Sequence, residues 1–305
     1  MESPERLHDP RWIRSLLARH GLHASRRLGQ NFLCDPHIPE AIVDGAGIDA
    51  SHIVLEIGPG LGALTRALSR AAGRVVAVEA DSALRPVLGE TLCDCGNVAI
   101  VWGDILKTDI PALMEEHAAR GQEHAARGQE QSARGKPPLV PVVCANLPYN
   151  VGTKILRRLL DTDLFAHITV MVQREVALRL RASAGDAAYG AMTIHVGTRA
   201  ACEILFDVPP ESFVPAPKVT SSVVRLTRRK LPLRHPDLFS RIVRAAFAQR
   251  RKTLPNALST ALPIPKTRIQ DALAACGLPP MARGETLDIA AFDILSDTLF
   301  TMIGG

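Results

Sequence analysis

The sequence predicts an α/β fold: a mostly parallel, seven-stranded sheet with helices on both faces, then a small all-α C-terminal domain. Three observations carry this expectation. From residue 52 onward, apolar β-branched runs alternate with helical segments, the pattern of parallel strands buried on both faces. The first of these runs ends in Gly58-Pro59-Gly60-Leu61-Gly62 and leads directly into a helical segment, so a strand, a glycine turn and a helix follow one another. Beyond Leu231 the strand pattern stops and only helical periodicity remains.

Taken in order, residues 11–22 and 37–46 have helical character, with the irregular stretch SRRLGQNFLCD between them. Strand candidates follow as HIVLEI (52–57), RVVAVEA (74–80), VAIVWGD (98–104), LVPVVCAN (139–146) and HITVMVQ (167–173). After Gly190, AMTIHVGTRAACEILFDV and KVTSSVVRLTRR read as two closing strands separated by a proline-rich loop. Segments near 237–250, 266–276 and 288–302 read as helices, with Gly277 and Pro279 as breakers. The domain boundary is therefore expected near 230, giving domains 1–230 and 231–305. Residues 116–136 are three near-copies of one heptapeptide, EHAARGQ, EHAARGQ and EQSARGK. They offer only Ala for a coiled-coil seam and carry a Gly in each unit, so a flexible, exposed insertion without chemistry is expected.

With 305 residues, 47% hydrophobic and 22% charged, the chain has an ordinary globular make-up and length for one large and one small domain. No apolar run approaches the roughly 20 residues that cross a bilayer, so no membrane partner is expected. MESPERLHDPRW lacks the apolar stretch of a signal peptide, and cytoplasmic residence is the expectation. Six cysteines (34, 93, 95, 144, 202, 276) form no C-x-x-C pair, so reduced thiols and no metal are expected. Net charge is +5, but from Lys218 to Lys252 eleven Lys or Arg residues stand against one acid, Asp237. Charge runs usually line a solvated helix face; one this one-sided suggests a phosphate backbone as partner.

Three motifs carry candidate chemistry. In VLEIGPGLGALT (54–65), glycines let the backbone approach a ligand and a helix N-terminus lies just beyond. Gly58, Gly60 and Ala63 satisfy G-x-G-x-x-G/A, and Glu79, 21 residues after Gly58, can accept from ribose hydroxyls. This much fits NAD or another adenosine-bearing cofactor. Asp104, in VWGDIL, ends the third run. A lone Asp there is commonly a helix cap, but in series with Glu79 it is a candidate acceptor for an adenine amine.

CANLPYN (144–150) ends the fourth run. Ligands in open α/β sheets bind beyond the carboxyl ends of strands, so Asn146 to Tyr149 are expected to face the crevice of the glycines. Asn146 offers a side-chain carbonyl and Leu147 a main-chain one. Two acceptors aimed at an aromatic amine hold its hydrogens and direct its lone pair outward. Tyr149 offers a stacking face, worth about 1–3 kcal/mol per base. The plain alternative is a proline-fixed turn with a satisfied Asn and a core Tyr.

Together these blocks resemble the S-adenosylmethionine-dependent methyltransferases, and within them the ribosomal RNA adenine dimethyltransferase family of the KsgA/RsmA type. The resemblance runs through nearly the whole chain, in family order. RRLGQNFL (26–33), LEIGPGLGALT (55–65), VVAVEAD (75–81), GDILKTD (103–109), NLPYN (146–150) and MVQREVALRL (171–180) carry it. YGAMTI (189–194), FVPAPKVTSSVVRL (213–226), FAQRRKTLPNAL (247–258) and RGETLDIAAF (283–292) continue it. The 116–136 repeat departs from the family pattern.

The resemblance implies a Rossmann-like class I methyltransferase domain with a helical RNA- and ribosome-binding domain after it, and S-adenosylmethionine in place of NAD. It implies that the Gln-Asn-Phe-Leu block closes over the cofactor, making Asn31 and Leu33 contacts. Gly58 would lie under the methionine moiety with Gly60 in the same turn, Glu79 on the ribose, Asp104 at the adenine and Asn146 between cofactor and target amine. Asn146, Leu147 and Tyr149 become candidate catalytic residues, with Phe213 sandwiching the flipped base opposite Tyr149. Lys218, Arg225, Arg250, Arg251 and Lys252 become candidate RNA contacts.

The implied activity is dimethylation of N6 on two adjacent adenines in a loop near the 3′ end of small-subunit rRNA. The partner would be the small ribosomal subunit and its rRNA, with no obligate protein partner and a monomeric enzyme. Rival readings are a large-subunit rRNA adenine methyltransferase of the macrolide-resistance type, and a small-subunit assembly factor in which methylation is secondary. FAQRRKTLPNAL and RGETLDIAAF favour the small-subunit type. An NAD-linked oxidoreductase lacks a candidate hydride-transfer acid.

Overall fold

The computed structural model describes residues 4–25, 28–128, 137–249 and 251–303. Helix α1 (Pro10–Arg19), the short strand β1 (Phe32–Leu33) and helix α2 (His37–Ala46) precede the sheet. The chain then alternates β2 (His52–Ile57), α3 (Ala63–Ala71), β3 (Arg74–Glu79), α4 (Arg85–Thr91), β4 (Val98–Trp102), α5 (Ile110–Gly128), β5 (Val140–Asn146), α6 (Gly152–Asp161) and β6 (His167–Gln173). After α7 (Arg174–Arg181) and α8 (Ala191–Gly197), strands β7 (Ala200–Val208), β8 (Phe213–Val214) and β9 (Ser221–Arg228) follow.

Seven strands form one sheet in the order β4-β3-β2-β5-β6-β9-β7, while β1 and β8 pair separately. The pairs from β4 through to β6 are parallel, and β6 with β9 is antiparallel. Ile53 to Leu55 and Val75 to Ala77 are at most 1% exposed, as strands covered on both faces must be. On one face, Ile42 and Val43 of α2 and Leu64 and Leu68 of α3 pack with Val54, Val75, Val142 and Met171.

The strand order reverses at β2. The chain runs outward from β2 to β3 and β4, then returns to place β5 on the opposite flank of β2. The carboxyl ends of β2 and β5 therefore open a crevice between them, where ligands bind in open α/β sheets. Both the glycine turn and Asn146 stand at those ends.

The chain divides into two compact units, Met1–Ala177 with Glu203–Arg228, and Leu178–Cys202 with Arg229–Gly305. A single division near 230 leaves out the excursion 178–202, which packs with the second unit. In that unit Tyr189 and Ile194 join a core with Ile242, Leu258, Leu273, Phe292 and Leu299. These come from α9 (Pro236–Ala248), α10 (Leu254–Ala261), α11 (Lys266–Ala275) and α12 (Ile289–Ile303). Fully burying each such side chain contributes about 1.5–3 kcal/mol.

Three expectations about elements need correction. Residues 191–197 are helical, not a strand: Thr193 Oγ1 accepts from the Gly190 N–H (3.1 Å) and donates to the Arg179 carbonyl (2.6 Å), and Ile194 is buried in the helical core. Tertiary burial there overrides the β-propensity of Thr, Ile and Val. Helix α10 has no counterpart among the expected segments. The repeat is not structureless from its start, because α5 runs on through its residues 116–128. Ala, Arg, Glu and Gln are strong helix formers and outweigh one Gly per unit; residues 129–136 lie outside those described.

A candidate active site at the strand switch point

The glycine turn forms because β2 must reverse into α3 without side chains at its inner edge. Gly58 and Gly60 have φ of 68° and 59°, in the left-handed region. The Gly58 amide donates to the Val78 carbonyl at 2.9 Å, which stitches the turn to the end of β3. A Cβ on Gly60 would lie 3.1 Å from Phe32 Cδ1, so the turn and the N-terminal segment close against each other. What remains is a main-chain cradle at the mouth of a cavity. Gly29 to Phe32, Gly58, Gly60, Glu79, Asp104 and Asn146 to Val151 all line it.

Glu79 sits at the end of β3, 6% exposed. Its Oε1 accepts from the Asp81 N–H at 2.8 Å and its Oε2 from the Gly60 N–H at 3.3 Å. Burial pushes its carboxyl up from the ordinary value, against the main-chain donors of Asp81, Gly60 and Ala80 that hold it down. The carboxylate is thus aimed from the strand tip across the glycine turn. Asp104 does cap the turn that follows it, accepting from the Leu106 N–H at 2.9 Å through Oδ1. It also lines the cavity, so the cap and the ligand-facing readings hold together.

On the other flank, the Leu147 N–H donates to the Met171 carbonyl at 3.1 Å, and Gly152 N–H donates to the Pro148 carbonyl at 2.8 Å. These bonds fix the Asn146–Tyr149 turn on β5. The Asn146 carboxamide is half-buried and lines the cavity without a side-chain partner among the described residues. Tyr149 is half-buried beside it, with its hydroxyl 2.5 Å from Ser221 Oγ. An unpaired carboxamide and an aromatic face at the rim can receive a planar ring that carries an amine.

The match to known proteins covers most of the chain: residues 21–274 fit the family described as ribosomal RNA adenine dimethylase. The chain belongs to that family. The "Ribosomal RNA small subunit methyltransferase A" of Geobacillus thermodenitrificans (strain NG80-2) is 43% identical over 300 residues, 96% of this chain and 97% of the relative. Its counterpart from Lactiplantibacillus plantarum is 42% identical over 300 residues, 95% of each chain. Among solved structures, a dimethyladenosine transferase from Plasmodium falciparum aligns with a TM-score of 0.66 at 26% identity, over 86% of this chain and 95% of that one. The 23S rRNA methyltransferase ErmE aligns with a TM-score of 0.61 at 25% identity, over 88% and 99%. Family membership makes this chain an rRNA adenine dimethyltransferase with the expected Rossmann-like sheet.

Of the residues expected from the family motifs, Asn31, Gly58, Gly60, Glu79, Asp104, Asn146, Leu147 and Tyr149 come together around one cavity. Leu33 and Phe213 do not. They pair across β1 and β8 and are buried in the core with Val54, Leu64 and Met171, at 6% and 3% exposure. Side chains alternate along a strand, so turning Leu33 inward turns Phe32 toward the cavity. With Phe213 in the core, Tyr149 has no aromatic opposite it from that position.

The basic residues divide similarly. Lys218 is exposed in the loop before β9, and Arg251 and Lys252 are exposed between α9 and α10 of the second unit. Arg250 lies outside the described residues. Arg225 is not a free surface cation: it is half-buried, with Nη1 3.5 Å from the Gly45 carbonyl. Because β9 runs antiparallel to β6, Ser221 is at the tips of the strands and Arg225 is four residues away from them, opposite Thr169.

Two participants fall within the family blocks, but their contacts carry no sequence signal. Gln30 accepts from the Ser25 N–H and donates to Asp81 Oδ2, both at 2.8 Å, tying the segment before β1 to the end of β3. Ser221 reaches Tyr149 across 72 residues of sequence. No local pattern encodes either contact.

Proposed function

We propose that the cavity holds S-adenosylmethionine against Asn31, Gly58, Gly60, Glu79 and Asp104. The chain then methylates N6 of two adjacent adenines, twice each, near the 3′ end of small-subunit rRNA. The unpartnered Asn146 carboxamide, beside Tyr149 at the mouth of a glycine-cradled cavity, is the observation that carries this reading. The donor set fits the cofactor. Gly58 and Gly60 leave room for close main-chain approach, Glu79 can accept from paired ribose hydroxyls, and Asp104 can accept from an exocyclic amine.

When bound, the cofactor supplies a methyl group already activated by a positively charged sulfur, so the protein's share is positioning and electrostatics. Asn146 Oδ1 and the Leu147 carbonyl accept the two hydrogens of the adenine amine. Held this way, the amine nitrogen is drawn out of conjugation with the ring and its lone pair points into the cavity. Tyr149 supports the ring by stacking. The residues named need not abstract a proton first, because nitrogen becomes acidic on alkylation and releases its proton to solvent. A paired base cannot enter, so the target adenines must lie in a loop or be flipped out.

Relatives that are small-subunit rRNA methyltransferases support a small-subunit target over the large-subunit alternative. Lys218, Arg251 and Lys252 would meet the phosphate backbone of that RNA in the cytoplasm, with the enzyme acting as a monomer. Among the described residues no helix is long and apolar enough to cross a membrane.

The test uses purified protein, labelled S-adenosylmethionine and three substrates: undermethylated small subunits, undermethylated large-subunit RNA and duplex DNA. Dimethyladenine mapped near the 3′ end of small-subunit rRNA is the expected result. Label confined to large-subunit RNA would overturn the assignment of target, and cofactor binding without transfer would favour an assembly role.

A further inference from the structure

We infer that Ser221 is a positioning residue for the target base, its hydroxyl tethering the Tyr149 ring from a strand on the far side of β6. The inference rests on the reading that Tyr149 stacks on the adenine. Ser221 is fully buried at the first position of β9, and its Oγ lies 2.5 Å from the Tyr149 hydroxyl. A buried hydroxyl left unbonded is costly, so the pair is held firmly once formed. Ser221 pairs with Gln173, the last residue of β6, which sets its hydroxyl at the level of the strand tips where the cavity opens.

The other end of the ring is fixed as well. Bonds at Leu147 and Gly152 brace the turn that carries Tyr149, and the Tyr149 amide lies 3.5 Å from the position of an added Gly29 Cβ. With its Cα set by the turn and its hydroxyl set by Ser221, the ring has little freedom about its two side-chain torsions. It lines the cavity as a platform already in place, so a flipped base need not order it on arrival. Burial also pushes the Tyr149 hydroxyl up from its ordinary value, partly offset by the Ser221 bond. Rigid placement of this kind sets how closely the amine nitrogen approaches the methyl donor, and small misplacements slow transfer steeply.

The experiment is single-turnover methyl transfer to undermethylated small subunits at saturating cofactor, with cofactor Kd measured on each variant. Ser221→Ala and Tyr149→Phe should each slow transfer about tenfold while leaving cofactor Kd within about twofold. The double variant should be no slower than either single one, because both remove the same bond. Ser221→Thr, which keeps a hydroxyl and suits a strand, should recover most of the rate. Unaltered rates in Ser221→Ala and Tyr149→Phe, or effects that multiply in the double variant, would overturn the tether. Tyr149→Ala distinguishes the two failures. If it transfers normally, stacking itself is wrong; if it is inactive while Tyr149→Phe is fully active, only the tether is wrong. Should Ser221→Ala lose cofactor binding through misfolding, Tyr149→Phe decides alone.

Discussion

On the side of the cavity proposed for the cofactor, Gly58, Gly60, Glu79 and Asp104 come from the carboxyl ends of β2, β3 and β4, three adjacent strands. Each stands at the end of its own strand, and the bonds that hold the glycine turn and Glu79 run between neighbouring strand ends. On the side proposed for the target adenine, Asn146, Leu147 and Tyr149 come from one turn after β5, and that turn is braced from elsewhere: Met171 on β6 and Ser221 on β9. Strand periodicity thus builds the first half, while long-range side-chain contacts complete the second. Changes on the cofactor side should act locally on binding, whereas changes on the adenine side should act on the rate.

The largest expected effect breaks the adenine side. Asn146→Ala removes one of two acceptors for the target amine and should lower turnover about 100-fold or more, by analogy with loss of one hydrogen-bonding group at a reacting centre. Cofactor Kd, read by calorimetry, should change only a few-fold. Next, Glu79→Ala on the cofactor side should weaken cofactor binding at least about tenfold, the scale of hydrogen bonds to a charged group. A Glu79→Ala variant with unchanged Kd would detach this carboxylate from the ribose.

Smaller effects sharpen the contrast from outside both halves. Converting Arg251 and Lys252 together to Ala should reduce the salt dependence of RNA binding by about one unit of slope per residue, with cofactor Kd unchanged. An identical slope would remove them from the phosphate contacts. The smallest effect concerns Glu56, 1% exposed on β2 beneath the cofactor side. Burial pushes its carboxyl up to about 8, with nearby Glu79 adding to the shift and Thr65 opposing it.

Between the ordinary value of 4.5 and about 8 the folded protein keeps the Glu56 proton while the unfolded chain loses it. This group's contribution to stability is therefore fully present below 4.5 and declines as pH rises toward 8. Glu56→Gln should raise Tm by a few degrees at pH 8 and confer no gain at pH 4. An equal shift at both pH values would contradict the cause given.

The same contrast explains what could be read from the sequence. Gly58, Glu79 and Asp104 were legible because each ends an apolar run, and strand ends in an open sheet converge on one crevice. The NLPYN turn was legible for the same reason. The burial of Leu33 and Phe213 away from the cavity was not legible, because the two-residue pairing of β1 with β8 that buries them leaves no periodic trace. Arg225 looked like a member of a basic surface cluster, and only the antiparallel register of β9 shows that it lies away from the strand tips. Residues 191–197 carry strand-forming side chains, and only the helical unit's core reveals why they coil. Ser221 and Gln30 join the site through contacts that no local signal encodes.

The most direct test of the two-sided site is a crossed titration. Single-turnover methyl transfer is measured for Glu79→Ala and Asn146→Ala over a wide range of cofactor concentration. The account requires excess cofactor to restore Glu79→Ala to near the parent rate while Asn146→Ala stays slow at saturation. Rescue of Asn146→Ala by cofactor, or failure to rescue Glu79→Ala, would contradict it.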